Sequence, residues 1–332
     1  MKRLALLLLF ACMTATCAAA GNYSRREDVR HFVSEMAGRH GFSRRELTAL
    51  FRQARFQPAI IRAMTVPAES TLRSWQDYRA LFVNSQRIDE GVSFSARHAA
   101  TLERAAHEFG LPADIVVAII GIETVYGRNM GKYRVIDALA TLAFDFPRRA
   151  GYFRGELESF LLFARDAGID LLATRGSYAG AIGIPQFMPG SYRRFALDYD
   201  HDGQRDLSGS AADAIGSVAN FLKEHGWETG APAALPARVA GDAYRKLLDA
   251  GIKPQVRQAE LGLFGVSGAE SLPPDTLCAL IELETPGQDS EYWIGLNNFY
   301  VITRYNRSSF YASAVLELAR AIAQAAATVS PR

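Results

Sequence analysis

Cysteine is scarce in this chain: there are three in 332 residues, and Cys12 and Cys17 both fall within the first twenty. Only Cys278 lies deeper. One thiol cannot close an internal disulfide, so the fold must be held by its apolar core. No Cys/His cluster has the spacing of a zinc site, and His201 and His225 lack suitable partners in sequence. Cys278, inside Leu277-Cys-Ala-Leu-Ile281, reads as a small buried hydrophobe. Net charge is scarce too. Lys and Arg number 37 against 35 Asp and Glu, and without Lys2 and Arg3 the two signs balance. A near-neutral chain gives no general case for nucleic-acid binding, so nucleic acid is not expected as a partner. Internal repeats, low-complexity tracts and apolar runs long enough to span a bilayer are all lacking.

Residues 1–20 read as an export signal: Lys2 and Arg3, a short apolar stretch from Leu4 to Ala11, and Ala18-Ala-Ala20 before Gly21. This places the mature chain in the periplasm. Cys12 follows Leu9-Phe-Ala11, which weakly resembles a lipoprotein processing site, and Cys17 follows the weaker Thr14-Ala-Thr16. A lipid anchor to the outer membrane therefore stays open beside the free form.

The hydrophobic share of 49% and charged share of 22% are ordinary for packed domains. Residues 25–150 read as helical. Ser43-Arg-Arg-Glu46 has the form of a capping box, Pro58 suits a first helical turn, and Ser95 stands as N-cap to a helix over 96–109 that stops at Gly110. Pro112 and Asp114 restart a helix that runs through Ile115-Val-Val-Ala-Ile-Ile-Gly-Ile122 toward Gly127. It is apolar nearly all round and should be buried. Helical spacing returns over 151–172, 213–225 and 309–325, with a structured Gly/Ala/Ser-rich loop over 173–192. Residues 229–296 are rich in Pro and Gly with short apolar runs, Thr276–Leu283 and Tyr292–Ile294, and read as strand-rich.

Glu123 ends the eight-residue apolar stretch. Burying a carboxylate is costly unless it is paired or protonated. Desolvation and the negative end of the helix dipole both favour the protonated form, which suits a general acid. On these features alone a structural Glu paired with a core Arg or Lys is equally open.

A second acidic pattern is Asp198-Tyr-Asp-His-Asp-Gly-Gln-Arg-Asp206. It has oxygen-bearing side chains at Asp198, Asp200, Asp202, Gln204 and Asp206, with Gly203 in sixth place. This fits the first part of an EF-hand loop. Gly209 stands where the closing Glu belongs, so the loop must close differently. Ca²⁺ is the leading ion, in a structural role, with a solvated acidic turn as the alternative.

Gly121-Ile-Glu-Thr-Val-Tyr-Gly127 resembles the catalytic motif of the membrane-bound lytic transglycosylase B family. Four further segments resemble it in the same order. They are Ile136–Leu142 with Phe146-Pro-Arg-Arg149, Gly176–Ala181 with Pro185-Gln-Phe-Met-Pro189, Asp213–Asn220 leading to His225-Gly-Trp227, and Asn298–Asn306. The resemblance covers about residues 25–325. It implies a mainly α (α+β) chain, with a lysozyme-like helical core, an additional helical domain and a small β insertion. The corresponding division is a signal over 1–20, a helical domain over 21–95 and a catalytic core over 96–228. The β-rich insertion then spans 229–296, and 297–325 return to the core.

The activity implied is a lyase reaction on peptidoglycan. The β-1,4 bond between N-acetylmuramic acid and N-acetylglucosamine is broken without water, and the muramic C6 hydroxyl attacks C1 to leave a 1,6-anhydro end. Glu123 would act first as acid, then as base. Usual glycosidases need two carboxylates; here the substrate's acetamido group would stabilise C1, and Asp145 and Glu156 lie near enough in sequence to keep a second carboxylate open. By the same resemblance Ser177 and Gln186 orient the substrate and Glu123, Tyr78, Tyr152, Tyr305 and Tyr311 wall the groove, and Asn306 lies near the acid. Arg148 and Arg149 form a basic pair suited to lactyl and peptide carboxylates. Asp213 would supply the last ion ligand, although the chain carries one residue more than the family spacing before it. No cofactor is implied for catalysis. The partners implied are glycan strands, with cell-wall synthesis or division proteins as further candidates, and a monomer. The alternatives are a muramidase of similar fold and a non-catalytic wall-binding or calcium-responsive protein.

Overall fold

The computed structural model describes residues 22–65 and 74–329; the export-signal reading falls outside them. By contact density the chain divides at Phe56/Gln57 into two compact units. The first holds α1 (Glu27–His40) and α2 (Arg44–Gln53). Gly41, in the left-handed region at φ 69°, stops α1, and Ser43 Oγ accepts from Glu46 N to start α2. Phe32 and Phe51 meet edge to face at 6.0 Å.

The second unit begins with α3 (Pro58–Thr65), α4 (Trp75–Phe82), α5 (Ser85–Arg97) and α6 (Ala99–Phe109). These helices therefore lie outside the first compact unit, although the sequence grouping carried an N-terminal domain to residue 95. Ser95 is not an N-cap. It lies inside α5, and the break falls at His98, which offers no side-chain cap. Asn84 caps α5 instead, its Oδ1 accepting from Arg87 N at 3.1 Å. Next comes α7 (Ala113–Thr124), with nine of its twelve residues buried, which is why it reads as apolar all round. Each fully buried Ile or Val there contributes about 1.5–3 kcal/mol.

A two-stranded sheet, β1 (Tyr133–Arg134) with β2 (Arg175–Gly176), brackets the hairpin of α8 (Val135–Asp145) and α9 (Ala150–Ala167). The short α10 (Pro189–Phe195) and the longer α11 (Ala211–Glu224) follow. The Pro/Gly-rich stretch forms an antiparallel five-stranded sheet from β3 (Ala234–Val239), β4 (Val256–Arg257), β5 (Val266–Ser267), β6 (Leu277–Leu283) and β7 (Glu291–Gly295), in the order β4-β6-β7-β3-β5. The five-residue α12 (Arg245–Asp249) covers it. This sheet has its own apolar core, including Leu247, Leu280, Ile294 and Cys278. Burial pushes the Cys278 thiol up to about 11, in keeping with an inert packing residue. The chain then returns through α13 (Asn297–Ile302) to α14 (Ser309–Val329), which packs along α7, α5 and α4. The architecture is mainly helical with a small sheet, as expected.

Candidate functional site

Glu123 is the penultimate residue of α7 and is half-buried. Tyr311, on α14 and 1% exposed, donates its hydroxyl to Glu123 Oε1 at 2.8 Å. Tyr305 lies parallel to Tyr311, with ring centroids 6.3 Å apart and 12° between planes. Burial, then the nearby Glu123 charge, pushes both phenols well above their ordinary range. Both stay protonated and act as donors.

Two bonds bring the loop after β2 to this wall. Tyr305 donates to Pro185 O at 2.6 Å, and Thr124 Oγ1 donates to Ile184 O at 2.7 Å. Gln186 sits in the left-handed region at φ 50°. Its side-chain amide nitrogen donates to Gly183 O (2.8 Å) and Met130 O (3.2 Å). Ser177 Oγ accepts from Ala181 N at 3.1 Å, which leaves the hydroxyl proton free to donate. Asn306 is half-buried, and its amide makes no hydrogen bond within the described chain. Glu123, Tyr305, Tyr311 and the Gln186 loop, separated by up to 188 positions, thus converge.

Tyr78 differs from the groove-wall expectation. It is 4% exposed and packs on Phe82 at 4.8 Å and Phe310 at 5.6 Å, because α4 turns it into the apolar seam with α14. It interacts electrostatically with Tyr311. Tyr152 is 44% exposed, with the Arg149 guanidinium 4.4 Å over its ring; Arg148 and Arg149 are exposed at the start of α9. The Tyr152 hydroxyl bonds Glu156, and Glu156 Oε2 accepts from Gly190 N at 2.8 Å. Glu156 is therefore committed to joining α9 to α10.

Burial raises the Glu156 pKa above its ordinary 4.5. A raised acid contributes stability that is present below 4.5 and lost as pH rises through its folded-state value. Glu156→Gln has no such loss. Thermal unfolding of both proteins from pH 4 to 7 should show the parent losing ground to the variant as pH rises; a constant gap would refute this.

In the acidic loop Asp198, Asp200 and Asp202 bring one carboxylate oxygen each within 4.8 Å of one another. Gln204 is exposed, and Asp206 Oδ1 accepts from Ser208 N and Gly209 N. Asp213 is 1% exposed, and both its oxygens are taken: Oδ1 by Tyr199 N (2.6 Å) and Asp200 N, Oδ2 by Asp206 N (2.7 Å). It holds the loop from beneath through these three backbone N–H groups. A cleft of about 860 Å³ lined by Asp170, Arg175, Tyr192, Arg193 and Asp206 opens nearby and does not include Glu123.

Sequence reasoning gave no role to Thr124, Tyr126 or Arg87, which fix the end of α7. A polar Thr inside a buried helix was the available signal for the first.

Residues 24–320 match the family model described as the transglycosylase SLT domain. The chain is 40% identical over 313 residues, 92% of its length and 85% of the relative's, to membrane-bound lytic murein transglycosylase B of Escherichia coli (strain K12). Among solved structures it is similar to the catenated lytic transglycosylase SltB1 of Pseudomonas aeruginosa. The TM-score there is 0.87 at 45% identity, covering 92% of this chain and 99% of that one. It is also similar to the Escherichia coli lytic transglycosylase Slt35 in complex with calcium, with TM-score 0.82 at 39% identity, covering 93% and 96%. The chain belongs to the SLT-domain lytic transglycosylases, enzymes that act on peptidoglycan.

Proposed function

We propose that Glu123 is the single acid–base group of a lytic transglycosylase that cuts between N-acetylmuramic acid and N-acetylglucosamine. The observation that carries this reading is the Tyr311 hydrogen bond to Glu123 Oε1 within a wall of two protonated phenols. Because Oε1 accepts from Tyr311, the acid's proton belongs on Oε2. That proton passes to the departing glycosidic oxygen. The carboxylate then takes the proton of the muramic C6 hydroxyl as its oxygen closes on C1, which returns Glu123 to its starting form. Ser177 has a free hydroxyl proton for the acetamido carbonyl, and Gln186 presents an acceptor to a sugar N–H or O–H. Asn306, next in sequence to Tyr305, offers a further polar group. Arg148, Arg149 and Tyr152 form an exposed basic and aromatic rim suited to lactyl and peptide carboxylates.

Digestion of purified sacculi by the mature protein, followed by mass spectrometry, tests the reading. Anhydromuropeptides are its expected products, and reducing ends would move the chain to a muramidase. A folded protein that releases nothing would favour a binding role.

The same reading places the protein outside the cytoplasm, facing the wall. No single described helix is long and apolar enough to cross a membrane. Recruitment by wall-synthesis or division proteins, and action as a monomer, belong to this proposal.

The acidic loop is proposed to bind Ca²⁺ as a structural ion. Three carboxylates already gathered repel one another, and a hard cation relieves that repulsion. An ion at a hundred times its Kd stabilises by about 2.7 kcal/mol. Ca²⁺ should therefore raise the unfolding temperature and EDTA should reverse the rise. Asp200→Asn combined with Asp202→Asn should abolish it. An unchanged transition in Ca²⁺ would refute the site.

A further inference from the structure

The turn that follows Glu123 is built against local preference. Val125 and Tyr126 both occupy the left-handed region, at φ 51° and 57°, where a β-branched residue is costly. Val125 N donates to Gly121 O at 3.1 Å and Tyr126 N to Ile120 O at 3.4 Å, closing the end of α7 without a glycine. The reversal folds the Tyr126 ring back under the helix. There it lies between Gly121 of α7 and Gly91 of α5. A Cβ on either glycine would come 2.5 Å from the Tyr126 hydroxyl oxygen. That hydroxyl donates to Arg87 O at 2.8 Å. The Arg87 side chain completes a circuit, with Nε donating to Gly121 O at 3.1 Å and Nη1 to Leu81 O at 2.8 Å. Phe94 flanks the ring at 5.3 Å.

Helix ends fray, and an acid that must meet one glycosidic oxygen tolerates little displacement. Glu123 lies between the two points that this circuit pins, Gly121 and Tyr126. The geometry points to Tyr126 and Arg87 as positioning residues that hold the last turn of α7, and with it Glu123, in a fixed place. The two glycines serve as the slot for the phenol. This rests on the reading of Glu123 as the acid. The circuit touches no substrate, so its loss should weaken the chemical step rather than binding.

Soluble glycan oligomers released from sacculi allow kcat and KM to be separated for Tyr126→Phe, Gly91→Ala, the double variant and Glu123→Gln, well below each protein's unfolding temperature. Tyr126→Phe removes only the hydroxyl, and kcat should fall about tenfold with KM within about twofold. Gly91→Ala pushes a methyl into that hydroxyl and into the Ile322 side chain, and should be slower still. The same methyl also meets the Ile322 side chain of α14 at 2.6 Å, which the loss of the hydroxyl does not relieve, so the double variant should be no faster than Tyr126→Phe. A Tyr126→Phe protein with the parent's kcat, or with its loss entirely in KM, overturns the positioning role. If Gly91→Ala does not fold, the kcat of Tyr126→Phe decides alone. An inactive Glu123→Gln beside a fully active Tyr126→Phe rejects positioning only. A fully active Glu123→Gln overturns the acid assignment, and the positioning role with it.

Discussion

Glu123→Gln is expected to slow release of anhydromuropeptides from sacculi by about 10²–10⁴-fold, the range that a positioned general acid supplies. The substitution is nearly isosteric, and its amide oxygen can still accept from the Tyr311 hydroxyl that now reaches Oε1 at 2.8 Å. What it lacks is a proton to give to the departing oxygen and a carboxylate to take one from the C6 hydroxyl. Both halves of the reaction should fail together, so no product of either kind should replace the anhydro one. Binding to sacculi should persist, because Ser177, Gln186 and the Arg148–Tyr152 rim are untouched. Pelleting with sacculi and mass spectrometry of the supernatant check the two parts. A variant within tenfold of the parent's rate would sink the assignment, and loss of pelleting would mean that Glu123 also serves in binding.

The second large effect is expected on stability. Asp213→Ala should destabilise the protein by about 3 kcal/mol or more, since it orphans the N–H groups of Tyr199, Asp200 and Asp206. It also removes an acidic residue from the first turn of α11, whose N-terminus Ser210 caps through Asp213 N at 3.1 Å. In a chain of this size that is a fall of roughly 4–5 °C in the unfolding temperature. Asp213→Asn keeps one acceptor oxygen and should fall between. The ionic condition separates a strut from an ion ligand. A strut is lost equally in EDTA and in Ca²⁺, whereas a ligand matters only when Ca²⁺ is present. An alanine variant as stable as the parent in EDTA would refute the strut.

Much of this was legible in the residues. Eight apolar positions before Glu123 specify a buried helix ending in a carboxylate, and the alternation Asp198, Asp200, Asp202 specifies a turn with oxygens on one side. Both depend on spacing along one element, which sequence records directly. The Pro/Gly-rich stretch likewise announced strands by its short apolar runs, though not the order β4-β6-β7-β3-β5, because pairing between strands distant in sequence leaves no local mark.

By itself, then, the sequence determined the helical core, the carboxylate that ends α7 and the acidic loop. Tertiary structure decided how those parts are used. Tyr78 and Tyr311 sit on α4 and α14 and read alike as aromatic positions, yet packing sends the first into an apolar seam and aims the second at Glu123. Asp213 reads as one more oxygen in an ion-binding run, and only the fold of the loop over α11 turns it inward to hold three backbone N–H groups. Two glycines thirty positions apart become one slot only where α5 crosses α7 and Tyr126 folds back between them. The physical reason is the same in each case: a side chain's partners are set by which helices meet, and that is a property of long-range packing that no local pattern encodes.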